Sequence, residues 1–360
     1  MPIADPRDPV AWDVAERVAA RVSRREPLAE SYLYASLAPD FAEFTAEAEE
    51  LVAQETGLRS LAGPARVRVT DRPGWVHANL KSFRRMLRPL TERLGDRMGT
   101  GRMADAGRTV AGAEVGALLG WMSTRVLGQY DLLIIENEEP DEQDIVYYVG
   151  PNVLALEKRY AFPPREFRLW LALHEVTHRT QFTGIPWMRP HFLSLLDSSL
   201  AAFDPDPKRF VDALRRAVDA ARAGHNPLDE GGLVTLLAGP EQRAVLQRIQ
   251  GLMSLLEGHG DVVMGRAGAG RIPSAERFHQ VLHDRRQAGG AARLLQKMIG
   301  LEAKLRQYKE GEEFLEAVEN APGASVELLW RGPEWILTLP EIKAPELWLS
   351  RVASAEPAAS

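Results

Sequence analysis

The apolar positions of this chain recur mostly with the period of a helix. Asp8-Pro9 opens a first predicted helix, running to about Val22. Leu33, Leu37, Phe41, Phe44, Ala48 and Leu51 mark one face of a second, over 30–55. Leu80, Phe83, Leu87 and Leu90 mark one side of a third, over 75–94. In the apolar segment 109–128, Gly112, Gly116 and Gly120 recur every fourth residue, which puts them on one helix face where a second helix can approach closely. Gly150-Pro151-Asn152 begins another helix. Pro163-Pro164 begins the next, to about Phe182, since proline is tolerated in a first turn. Further helices are expected over 188–200, 208–223, 241–264, 275–287 and 291–309.

Three short runs carry the other period. Residues 66–70 alternate, and 131–135 (DLLII) and 145–149 (IVYYV) are rich in β-branched and aromatic residues, so each is a predicted strand. The acidic stretch 136–144, with Pro140, is a loop between the last two. The expected fold class is therefore mainly α with a small β element.

The 360 residues exceed what one core usually absorbs, so two packed parts are expected. The Gly-rich, charged connector 95–107 suggests an N-terminal helical region over 1–100 and a second region over 101–353. The Ala-, Ser- and Pro-containing residues 354–360 form a tail expected to be disordered. Net charge is −6, with no basic face, which argues against a nucleic-acid partner. The arginines are spread among acids and are read as solvated surface and ion pairs. With no cysteine, disulfides, thiolate metal sites and cysteine nucleophiles are excluded. Glu114 and Arg125 would be costly in lipid, so 109–128 is read as a buried helix and not a membrane span. Met1 to Pro9 has no apolar run, so it is not a secretory signal, and a cytoplasmic location is expected. Nothing in the pattern sets the oligomeric state.

One short motif carries chemistry. Residues 174–178 read His-Glu-Val-Thr-His. Positions four apart share a helix face, so His174 and His178 can present ring nitrogens to one ion. Zinc accepts neutral imidazole, and two donors from one rigid turn reduce the ordering cost. Glu175 is offset by about 100° from His174, so it can reach a zinc-activated water without being a ligand and act as general base. Phe167, Trp170, Leu171, His174 and His178 form one stripe, so the histidines face inward, where they need polar partners.

A third donor has to come from elsewhere. One extended zincin pattern is excluded, because Gln181 and Gly184 stand where it needs glycine and histidine. The later helix offers Glu257-Gly258-His259-Gly260-Asp261. Glu257 continues an otherwise apolar face through Leu246, Ile249, Gln250 and Met253, and an acid so placed is expensive unless paired or on a metal. His259 and Asp261 are alternative third ligands. Asp261 suits the support of a ligating histidine, and His259 the stabilisation of a developing oxyanion.

The stretches WMSTRVLGQYDLL (121–133), VGPNVLALEKR (149–159), FRLWLALHEVTHRTQF (167–182), PWMRPHFLSLL (186–196) and LMSLLEGHGDVV (252–263) resemble the bacterial zincin-like metallopeptidase family. Some members of that family are labelled hydrolases or associated with biosynthesis of a deazaflavin coenzyme. The resemblance is strong over 75–286 and looser over most of the chain. It implies a mainly helical zincin fold and one zinc ion per chain, with His174, His178 and Glu257 as ligands. It also implies that Glu175 is the catalytic carboxylate and Asp261 a supporting acid. The first functional hypothesis is an active zinc hydrolase with a peptide or amide as substrate.

Zincins often bind substrate backbone along an edge strand beside the active helix. The run 145–149 is the candidate here, and Tyr147 or Tyr148 could donate to an oxyanion. Sheet or core packing is the plainer reading of both tyrosines. Gln181, seven residues after His174, is on roughly the same helix face and could support the site. Two rivals to an active hydrolase are a non-catalytic zinc-binding helical protein with a biosynthetic or interaction role, and a metal-free helical interaction module. Retention of Glu175 favours the hydrolase, because a structural zinc site needs no general base.

Overall fold

A computed structural model describes residues 8–24, 28, 30–95, 101–132, 143–201, 239–287 and 301–355. The predicted helix 208–223 and the loop at 136–142 lie outside the described residues, as do 291–300 and 356–360. Among the described residues the chain is mainly helical with one small sheet. It divides into two compact units, one of residues 1–180 and 267–278, the other of 181–266 and 279–360.

In the first unit, α1 (Trp12–Ser23) lies along α4 (Arg102–Ser123). The glycine face of α4 makes this approach possible. A Cβ on Gly112 would stand 2.3 Å from the Ala11 carbonyl oxygen, and one on Gly116 would stand 2.2 Å from that of Ala15. Segment 109–128 is thus chiefly a helix buried on its small side. Among the described residues no helix is long and apolar enough to cross a membrane. The connector is narrower than 95–107, because α3 (Arg72–Gly95) fills its first position and α4 takes residues from 102 onward.

The sheet has the order β1 (Arg66–Thr70), β3 (Ile145–Val149), β2 (Gly128–Tyr130). β1 runs parallel to β3, and β2 antiparallel, with Gly128 opposite Tyr148 and Gln129 opposite Tyr147. One expectation is corrected. The run 145–149 is the central strand, so its backbone is engaged on both sides and it is no edge for a substrate. The third strand is Gly128–Tyr130, and most of the predicted strand 131–135 lies outside the described residues. Just beyond Tyr130, the Asp131 N–H donates to the Ile145 carbonyl.

Alternation along β3 assigns the two sheet faces. Tyr148 turns toward α2 (Leu37–Thr56). Its ring stacks on Phe41 at 3.8 Å, and its hydroxyl shares a 2.9 Å hydrogen bond with Thr45. Val149 turns the opposite way, into a cluster with Trp75, Val76 and Leu80 of α3, Leu119 of α4 and Ala15 and Ala19 of α1. After β3, α5 (Gly150–Tyr160) starts with proline in its first turn, and Phe162, Phe167, Trp170 and Phe278 build an aromatic cluster. Two arginines are buried in ion pairs of this unit, where the sequence suggested solvated surface. Arg168 binds Glu157 and Asp40, and Arg179 binds Asp144, Glu49 and the carbonyl of Gly63.

The second unit contains α7 (Met188–Ala201), α8 (Pro240–Ala267), α10 (Leu301–Asn320), α11 (Leu339–Lys343) and α12 (Pro345–Ala355); α9 (Ala275–Gln287) enters it from residue 279. Gly258 of α8 meets Gly311 of α10 backbone to backbone, 2.6 Å from any added Cβ. Trp348 in α12 sits against Phe314 in α10 and donates to the Trp335 carbonyl.

Candidate metal centre

Helix α6 (Pro164–Gly184) carries the motif. Leu169, Ala172, Leu173 and Val176 are buried along it, which keeps the turn 174–178 regular and held. Thr177 returns its hydroxyl to the Leu173 carbonyl, so the one β-branched polar residue of the motif is satisfied within the helix. His174 and His178 are half-buried, with ring centroids 4.6 Å apart and planes at 85°. Glu257 is buried on α8. His174, His178 and Glu257 each offer one ligand atom, and these atoms lie within 4.8 Å of one another. Two imidazoles and a carboxylate at that spacing are a donor set that fits zinc.

Glu175 is buried on the next position of the helix, where it faces the sheet. A Cβ on Gly128 would stand 2.6 Å from its Oε1. Because Gly128 lies opposite Tyr148, Glu175 meets the same sheet face as that tyrosine. Burial pushes the Tyr148 phenol well above its ordinary range. The bond with Thr45 works against this, and the Glu175 and Glu49 carboxylates raise it further. Tyr148 is a packed core residue with its hydroxyl bonded to Thr45. Tyr147 points to the other face, near Arg68, whose guanidinium lies 5.8 Å from the ring centroid.

Gln181 and His259 come together: the Gln181 Nε2 lies 2.9 Å from His259 Nδ1 and 2.9 Å from the Leu256 carbonyl oxygen. Both residues are buried, and the His259 ring is edge-on to Trp330. Asp261 is half-buried on α8, one turn beyond Glu257.

Sequence reasoning missed Gly128, Asp144 and Arg179. Arg179 follows His178 directly, and it bridges α6 to Asp144, which also accepts from the Tyr130 hydroxyl at the end of β2. Its signal was an arginine in the stripe Leu169, Ala172, Val176, Arg179. Asn152 had a signal too, as the polar residue beside the Gly-Pro helix start. Its amide donates to the Ser123 and Val126 carbonyls and so shapes the chain entering β2.

A family model for zincin-like metallopeptidases matches residues 10–349. The chain belongs to the zincin-like metallopeptidase family. One solved structure, described as "a putative hydrolase with a novel fold" from Chloroflexus aurantiacus, is 30% identical. It superposes with a TM-score of 0.69 over 97% of this chain and 100% of that one. No curated protein is significantly similar to the chain. Both relationships support a hydrolase.

Proposed function

We propose that this chain is a zinc-dependent hydrolase that cleaves a peptide or amide bond. One observation carries the reading: His174, His178 and Glu257 offer donor atoms within 4.8 Å of one another, and Glu175, the position after His174, is buried on the same helix. Three protein donors leave a fourth corner open, which is the arrangement of catalytic and not structural zinc. When bound, zinc would supply the Lewis acidity that makes water nucleophilic at neutral pH and polarises a carbonyl. His174 and His178 would bind through neutral ring nitrogens, and Glu257 as a carboxylate.

Glu175 is the general base in this reading. It accepts a proton from the attacking water and hands it to the departing amine. The glycine at position 128 brings the backbone of β2 up to its carboxylate, which restricts where that carboxylate can turn. Among the described residues β2 is an edge of the sheet, so an extended substrate could add its backbone there, next to the base. That role passes from 145–149 to Gly128–Tyr130.

The test is Glu175→Gln, assayed on a mixture of internally quenched peptides with zinc content measured in parallel. The expected result is zinc retained and turnover lowered by on the order of a hundredfold or more. A glutamine variant as active as the parent removes Glu175 from the chemistry. A zinc-loaded parent that cleaves nothing in a broad peptide mixture supports the non-catalytic metal protein instead.

A further inference from the structure

Gln181 stands three residues beyond His178 on α6 and is fully buried. Its Nε2 lies 2.9 Å from both the Leu256 carbonyl oxygen and the His259 Nδ1. A carbonyl only accepts, so the atom facing Leu256 is the amide NH2, and this fixes which way the side-chain amide points. An NH2 group only donates. The His259 nitrogen opposite it therefore accepts, and the ring proton of neutral His259 sits on Nε2. Leu256 and His259 flank Glu257 on α8, so one amide holds the turn that carries this carboxylate from both sides. Two further contacts keep the turn in place: Trp330 closes on the His259 ring at 5.0 Å, and Gly258 lies on the Gly311 backbone.

We propose that Gln181 is the positioning residue for the third metal donor. It ties the Glu257 turn of α8 to the C-terminal end of the helix that carries His174 and His178, and it keeps His259 in the Nε2–H form. The inference rests on the zinc reading above. The Gln181 amide acts through the backbone and ring on either side of Glu257. Outer partners of this kind typically change metal affinity about 10–100-fold when removed.

The experiment uses the full chain with 15N-labelled histidine, read by imidazole NMR at neutral pH, together with competition titration of zinc. The chain has eight histidines, so a His259→Asn variant assigns the signal. The parent should show a protonated Nε2 and a bare Nδ1 at His259, without zinc as well as with it. Gln181→Leu, which removes both bonds at similar volume, should lose that fixed pattern. It should also bind zinc about 10–100-fold more weakly, with helical content unchanged. A proton on Nδ1 in the parent overturns the proposal, as does a folded Gln181→Leu variant with parental zinc affinity. If that variant does not fold, the parental spectrum decides alone. A parent that binds no zinc but shows Nε2–H overturns the metal reading and the role toward a metal donor, and leaves the grip of Gln181 on α8 standing.

Discussion

Gly128 and Glu175 are so close that a Cβ on the glycine would stand 2.6 Å from Oε1 and 2.8 Å from Cγ of the glutamate. The glycine does not have a left-handed backbone, so the restriction is contact and not strain. Gly128→Ala must push the carboxylate aside. The expected outcome is a fall in kcat of about tenfold to a hundredfold, since a small misplacement of a reacting group has that scale of effect. Zinc content and melting temperature should stay near those of the parent. An alanine variant with parental kcat would show that the carboxylate has room to spare.

Arg179 is fully buried between Asp144 and Glu49. Removing its cation leaves the buried Asp144 carboxylate uncompensated, so Arg179→Met should cost about 3–5 kcal/mol, measured by urea unfolding. The exposed pair of Arg17 and Asp13 serves as the control, because solvent screens such pairs and Arg17→Ala should change stability little.

Gly258 and Gly265 lie two turns apart on α8 and differ in what surrounds them. A Cβ at 258 meets the Gly311 backbone, which cannot yield, whereas one at 265 meets nothing within 4 Å. Gly258→Val should lower the melting temperature and weaken zinc binding together, because it shifts the turn next to Glu257. Gly265→Ala should stabilise the helix by about 0.5–1 kcal/mol. Equal effects at the two sites would contradict the crossing described here.

Burial alone would raise the Glu341 carboxyl, but hydrogen bonds from Arg351 and Thr338 outweigh it and hold the group below the ordinary carboxylate range. A folded-state pKa below the unfolded one gives stability that is present above the ordinary glutamate value and is lost as pH falls through the depressed folded value. Glu341→Gln should therefore cost about 1–2 kcal/mol at neutral pH. The gap between variant and parent should close on acidification below about pH 4.3. A gap that stays constant from pH 7 to pH 3 would remove the carboxylate from the account.

Much of the candidate site was legible because its signals are local. The histidine spacing, the inward stripe from Phe167 to His178 and the lone acid in the apolar face of α8 can each be read within one helix. The strand at 145–149 was visible in its β-branched and aromatic run, but its central place in the sheet was not, since pairing depends on partners nearly eighty residues away in β1. β2 begins at Gly128, three residues before the start of the predicted run 131–135. The apolar run DLLII outweighed Gly-Gln-Tyr, although the glycine is what lets that strand reach Glu175. Arg179 and Arg168 looked like surface charges because their acidic partners are distant in sequence.

The central claim is that one zinc ion is held by two imidazoles and one carboxylate drawn from different helices. Elemental analysis of the purified parent beside His174→Ala and Glu257→Ala, each checked for fold by circular dichroism, tests it most directly. The account expects about one zinc per parent chain and a loss of zinc in both folded variants. A parent that takes up no zinc when supplied with it, or a Glu257→Ala variant that keeps zinc at parental affinity, would contradict it.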